Sequence, residues 1–258
     1  ARYHAGGDKP VIISGGQHAN ETTGIVGALR AAQTLHSRPN SHFVISPLEN
    51  PDGYQVHWRL RTDNPLHMHH AARYTALGDD LEYRSGKELF EKAIRIEAES
   101  LSGAKLHVNL HGYPSHEWTR PLSGYVPRTF AMWTVPKGFF LIMRHHAEWT
   151  AQAKILIDRV SRHLAAIPGL VAYNAAQIRL FETHAGETGF RIINGFPCLI
   201  SIDDRHTVPL TLITEYPDET IYGSAFIQGH TAQMETVLAA YDAIQAIEEP
   251  AASPQPSA

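Results

Sequence analysis

The apolar run Pro10-Val11-Ile12-Ile13-Ser14 ends in Gly15-Gly16 and passes at once into Gln17-His18-Ala19-Asn20-Glu21. A short apolar run closed by glycines fits a buried strand. Thr22 and Thr23 then lead into Ile25, Leu29, Ala32 and Leu35, whose spacing predicts a helix over roughly 21–36. Gly15 and Gly16 allow the sharp turn between the two and leave space beside it. His18 and Glu21 are three residues apart, so in a first helical turn or tight loop both side chains converge on one point. An imidazole and a carboxylate arranged in this way can hold Zn²⁺, which takes nitrogen and oxygen ligands and needs about four in all. Taken alone, the pair equally describes a loop histidine beside an acid that suits a helix N-terminus, in a chain with 17 histidines.

Further along, Ser41 to Pro47 reads as a second strand. Asn50-Pro51-Asp52-Gly53 is strong turn chemistry. Residues 55–84 hold no clean period and read as a long structured loop. Ser85 to Leu101 reads as an amphipathic helix with Leu89, Phe90, Ala93, Ile94 and Ile96 to one side. Leu106-His107-Val108-Asn109-Leu110 alternates as a strand and ends at His111-Gly112. Residues 112–140 read as irregular, 141–166 as a long helix, and 170–196 as mixed and glycine-punctuated. Strands return at Cys198–Ile202 and Leu210–Thr214, the latter ending at Glu215, and a last helix is expected over about 223–247. Residues 1–9 suggest an edge strand or linker. The expected organisation is one catalytic domain over 1–248 and a flexible tail over 249–258, rich in Pro, Ala and Ser. Strands alternating with helices of this length indicate an α/β sheet covered on both faces.

Bulk properties exclude several classes. With a net charge of −4 and no long basic run, nucleic acid is not an expected partner. The apolar runs fall far short of a membrane span. One cysteine excludes an internal disulfide and a cysteine-rich metal site; Cys198, within Pro197-Cys198-Leu199-Ile200, reads as an inert core thiol. No signal-peptide pattern is visible, which slightly favours the cytoplasm, and oligomeric state is not readable.

Three strand ends therefore carry metal-site or catalytic groups: His18 with Glu21, then His111, then Glu215. Ligands of open α/β sheets collect at the carboxyl ends of strands. Two histidines, one glutamate and a water would complete a tetrahedral catalytic zinc, one per chain, with Glu215 as general base. His67-Met68-His69-His70 also invites a metal, but reads better as a loop whose histidines bond locally or cap a pocket. His116-Glu117-Trp118 reads as pocket wall.

Taken together, Gly15-Gly16-Gln17-His18-Ala19-Asn20-Glu21, Asn50-Pro51-Asp52-Gly53, Gly78-Asp79-Asp80-Leu81, Leu110-His111-Gly112 and Thr214-Glu215 resemble, in order, the M14 zinc carboxypeptidase family and its deacylase relatives, the aspartoacylase and succinylglutamate desuccinylase group. The resemblance implies a single-domain fold with a mixed, mostly parallel sheet and helices on both faces. It implies His18, Glu21 and His111 as zinc ligands, Glu215 as the catalytic glutamate, and an arginine that polarises the scissile carbonyl. Arg73 fits that arginine best, with Arg59 and Arg61 as competitors. In the family an Asn-Arg pair clasps the substrate's terminal carboxylate. Here Glu82-Tyr83 stands in its place, with Arg84 one residue late, so Glu82 and Arg84 are the candidate substrate-binding residues. Tyr173 and Tyr222 are candidates for the family's substrate-capping tyrosine. The resemblance implies a metallopeptidase acting on a peptide. A deacylase acting on an N-acyl amino acid is the alternative, favoured by the short spacing from Glu21 to His111, and a noncatalytic binding module is the third reading.

Overall fold

The computed structural model describes residues 1–67, 69–115 and 136–250. Its organising element is one sheet of eight strands. They are β1 (Arg2–His4), β2 (Val11–Gly15), β3 (His42–Ser46), β4 (Leu106–Pro114), β5 (Phe140–His145), β6 (Arg191–Ile193), β7 (Phe196–Ile202) and β8 (Leu210–Glu219). The spatial order is β1-β3-β2-β4-β8-β5-β7-β6. β3, β2, β4 and β8 run parallel to their neighbours, and β5 and β7 are parallel to each other. β5 meets β8 antiparallel, and β1 and β6 are short antiparallel edges.

The two faces differ in chemistry because side chains alternate along a strand. From β4, Leu106, Val108 and Leu110 enter the main core, along with Val11, Ile13, Leu141, Met143, Leu210 and Leu212 from neighbouring strands. Helices α1 (Thr22–His36), α4 (Thr150–Ala165) and α6 (Gly223–Gln245) cover this face. The opposite face of β4 carries His107, Asn109 and His111, all buried. Helix α3 (Ala93–Ser102) packs there against β2 and β3. Helix α2 (Pro51–Asp63) follows β3, and α5 (Leu170–Ala185) precedes β6. A row of buried polar groups on a central strand is costly unless paired, and Ser14 meets that need: its hydroxyl lies 2.7 Å from His107 Nε2 and donates to Asn109 Oδ1 at 2.8 Å. Among the described residues no single helix is long and apolar enough to cross a membrane.

Several sequence expectations are corrected. The turn chemistry at 50–53 starts a helix: Asn50 caps α2 by accepting from the Gly53 N–H at 2.9 Å, and Pro51 takes the first helical position. The irregular excursion thus begins after Asp63 instead of at 55. The helix expected from Ser85 begins only at Ala93, after a short 3-10 turn at Phe90–Lys92, and Phe90, Ile94 and Ile96 are exposed. The start of the helix expected over 141–166 is strand β5. A short, fully apolar run fits a buried strand as well as a helix, and pairing with both β7 and β8 decides it. Residues 170–185, read as mixed, are helical. β4 and β8 both continue past their expected ends, through His111 and through Glu215.

Buried histidines make this fold sensitive to acid. His57, on α2, stacks on Tyr54 and lies edge-on to His69, with ring centroids 5.0 Å apart. Burial, together with His69 and Arg61, pushes its pKa down to about 4. The unfolded chain protonates it near 6.5, so its stabilisation is complete above that pH and is lost as pH falls towards 4. At pH 5 the loss amounts to ~2 kcal/mol. His57→Gln should therefore narrow the difference in Tm between pH 7.5 and pH 5, read by circular dichroism, and an unchanged difference would refute the assignment.

Candidate metal centre

β2 delivers its chain to the centre through Gly16, whose φ of +64° is one that side chains rarely adopt. The chain then doubles back into α1, whose first turn lies against β4. Gly24 makes that contact possible: a Cβ there would stand 2.7 Å from the Leu110 carbonyl oxygen. Glu21, immediately before α1, is thereby brought beside His111.

Three side chains meet at this point. His18 Nδ1 lies 2.8 Å from Glu21 Oε1, His111 Nδ1 lies 3.0 Å from Glu21 Oε2, and the two Nδ1 atoms are 3.2 Å apart. All three residues are buried. Both imidazoles turn the same ring nitrogen to one carboxylate, a cluster whose ligand atoms lie within 4.8 Å of one another. Two nitrogens at that separation can share only one proton, whereas two imidazoles and a carboxylate match the donors zinc prefers. These residues fit the ion.

The surroundings fix the trio. Glu21 Oε2 accepts from the Gly112 N–H at 3.0 Å. His18 Nε2 lies 3.2 Å from Asp80 Oδ1, the outer carboxylate that orients a ligating histidine. Asp80 also accepts from Arg73 Nε at 2.9 Å and from the Glu82 N–H at 2.9 Å. On the other side Gln233 donates to the His111 carbonyl at 2.8 Å and accepts from Thr214 at 2.6 Å. Burial alone would lower the His18 pKa, but Glu21 and Asp80 outweigh it and hold it up at about 9. Glu21 stays well below the usual carboxylate range, because the two histidines overcome the effect of burial.

Glu215 is placed by strand register. Neighbouring strands β4 and β8 pair His111 with Glu215, so both project from the same face at the same level. Burial, and then the nearby Glu21 carboxylate, push the Glu215 carboxyl well above its ordinary pKa, while His18, Lys137 and Arg73 act against that rise. Arg73 comes within 3.7 Å of Glu21. The competing arginines stand elsewhere: Arg59 is exposed on α2, and Arg61 lies between the rings of Trp58 and Tyr222.

The candidate substrate residues part company. Glu82 accepts from Gln17 at 3.0 Å, has Arg144 at 3.4 Å, and has its pKa lowered to about 2 with Gln17 and nearby cations overcoming burial. Arg84 is not brought to the centre. It is buried, and its guanidinium is bound by Asp79 at 2.6 and 2.7 Å, by Thr75 at 2.9 Å and by Glu91. Tyr83 points to solvent. Tyr173 stacks on Tyr216, and the Tyr222 hydroxyl donates to the Pro65 carbonyl. Of the histidine-rich loop, His69 is buried against His57 and the Asn64 carbonyl; Met68 and the segment His116-Glu117-Trp118 lie outside the described residues. Burial pushes the Cys198 thiol up to about 12, as an unreactive core cysteine requires.

Sequence reading assigned no role to Asp80, Gln17, Gln233 or Lys137. Asp80 was visible inside Gly78-Asp79-Asp80-Leu81. Lys137 had no signal: its buried ammonium lies 4.8 Å from the ring centres of Tyr113 and Phe140, where burial lowers its pKa to about 8 against the pull of Glu215.

Comparison with known proteins agrees with this geometry. The model of the zinc carboxypeptidase family, M14, matches residues 1–85. The chain resembles the M14 zinc carboxypeptidases. The matched span includes His18, Glu21, Arg73 and Asp80 but stops short of His111 and Glu215. In fold, the chain is similar to a protein of Shewanella denitrificans OS217 provisionally assigned as a metallopeptidase, with a TM-score of 0.51 at 14% identity over 93% of this chain and 82% of that one. A metallo-carboxypeptidase from Burkholderia cenocepacia aligns at 14% identity over 92% of this chain, with a TM-score of 0.48, and a succinylglutamate desuccinylase/aspartoacylase from Rhodobacter sphaeroides at 14% over 95%, with a TM-score of 0.49. This chain spans 57% and 58% of those two structures. No curated protein matches the chain in sequence.

Two outcomes test the centre. Purified protein should carry about one zinc per chain, and His111→Ala should lose most of it while retaining its far-ultraviolet dichroism; Asp80→Ala should weaken zinc affinity ~10–100-fold. Arg84→Ala should instead cost stability, on the order of 3 kcal/mol at most because Asp79 is partly exposed, and leave zinc content unchanged in elemental analysis.

Proposed function

We propose that this chain is a zinc-dependent hydrolase of an amide or peptide bond, of the M14 carboxypeptidase type, with His18, Glu21 and His111 holding the ion. The observation that carries this reading is the convergence of two Nδ1 atoms on the Glu21 carboxylate with Glu215 in register on the next strand. Zinc would supply the Lewis acidity that makes water a nucleophile near neutral pH.

The chain's own residues do the rest. Glu215 takes the proton of the attacking water and passes it to the leaving nitrogen as the C–N bond breaks. Its rise in pKa favours the return of that proton, and the cationic Lys137 and Arg73 oppose the rise enough to keep a base available. Arg73, held at its Nε by Asp80, has its terminal nitrogens left to donate to the oxyanion that develops on the carbonyl oxygen. Asp80 serves both ends of the site, since it also orients His18.

Deacylation of a small N-acyl amino acid is a second reading, and one feature favours it. Beside the centre lies a cavity of only about 10 Å³, lined by Glu82, Arg95, His107, Asn109, Arg144 and His206. Its two guanidinium groups suit a small acidic product better than a long peptide. Hydrolysis of a panel of peptides and N-acyl amino acids by the zinc-loaded protein separates the two. Glu215→Gln should retain zinc and lose ~10²–10⁴-fold in turnover on any substrate so identified; turnover at the wild-type rate would remove Glu215 from the mechanism.

A further inference from the structure

On the side of Glu21 away from Glu82, a second cavity of about 400 Å³ lies between α1, α2 and the segment that follows β8. That volume is within the range of small-molecule sites. The cavity adjoins the metal centre, since Asn20 and Thr22, which flank Glu21, both line it. Its walls are aromatic: Tyr54 and Trp58 from α2, Tyr222 and Phe226 from the start of α6. Tyr54 and Trp58 already meet edge-to-face, with ring centroids 6.2 Å apart.

The walls are held in place before any ligand arrives. The Arg61 guanidinium sits 4.9 Å from the Trp58 ring and 5.0 Å from the Tyr222 ring, joining α2 to the opposite wall. Tyr222 is tied a second time through its hydroxyl to the Pro65 carbonyl. Asp218 is fixed by the Thr23 N–H at 2.8 Å and the Thr23 hydroxyl at 2.7 Å, both on one carboxylate oxygen. Its other oxygen, and the amide oxygen of Asn20, are buried with no donor, although both residues line the cavity. Buried acceptors are normally satisfied, and a ligand N–H is the kind of group that would satisfy these.

We propose that this cavity is a substrate subsite for an aromatic side chain carried on a peptide or N-acylated segment. The aromatic walls receive the ring, and Asn20 and Asp218 accept from the N–H groups of the segment. That the occupant is a substrate rests on the hydrolase reading above; its chemical class rests on the cavity alone.

The test uses zinc-loaded Glu215→Gln protein, in which the ligand is not consumed, with N-acetyl-phenylalanine amide and N-acetyl-alanine amide as probes in calorimetry. The phenylalanine probe should bind at least about tenfold more tightly, a difference expected for a buried aromatic ring. Trp58→Ala should abolish that difference, Trp58→Phe should keep most of it, and Arg61→Ala should reduce it by releasing Tyr222. Trp58 is half exposed, so its replacement should leave the dichroism spectrum intact. Equal affinity for the two probes, or an unchanged ratio in Trp58→Ala, overturns the subsite. Turnover of both probes by the wild type is read separately. An aromatic preference without turnover of any substrate would defeat the hydrolase reading and leave the ligand class standing; turnover without the preference would do the reverse.

Discussion

The close contact between α1 and β4 underlies the rest of the site. Gly24 has no side chain, and the helix uses that space to press its first turn against the Leu110 carbonyl. Any larger residue would push α1 outward and carry Glu21 away from His111. Because Glu21 bridges both histidines and the Gly112 N–H, an outward shift would undo several polar contacts at once. A packing constraint on the apolar face of the sheet thus fixes the geometry of a polar cluster at its edge.

Electrostatics then divide the carboxylates by role. Glu21 lies between two imidazoles and stays ionised; Asp80 lies between His18 and Arg73 and does the same. Glu215, equally close to the centre, faces Glu21 and is pushed the other way. Environments that drive neighbouring carboxyl groups apart in this manner are what acid–base chemistry at one site requires. Glu82 is a fourth carboxylate with its own partners, Gln17 and Arg144, so its charge is answered locally instead of being turned on the histidines.

Arg84 and Arg144 show why proximity in sequence misleads. Arg84 is two residues from Glu82, yet its guanidinium is turned into the Asp79, Thr75 and Glu91 cluster. Arg144 is distant in the chain, but β5 presents it on the face of the sheet that Glu82 overhangs. Sheet register places the cation. Local spacing does not.

The sequence by itself determined the parts that depend on local chemistry. Gly15-Gly16 ended β2, the 3.6-residue period of Ile25 and Leu29 set α1, the alternation of Leu106 to Leu110 made β4 two-faced, and His18 and Glu21 were paired by their spacing. It left other elements open because their signals are ambiguous without neighbours. The Phe140–His145 run becomes a strand through β7 and β8, and Asn50-Pro51-Asp52-Gly53 serves a turn or a helix start equally well. Only the tertiary structure brought His111 and Glu215 level, turned Asp80 behind His18, buried Lys137 among aromatic rings and closed the aromatic cavity between α2 and α6. Each of these joins residues far apart in the chain, and the contact that joins them is fixed by packing and register, quantities that a linear pattern does not contain.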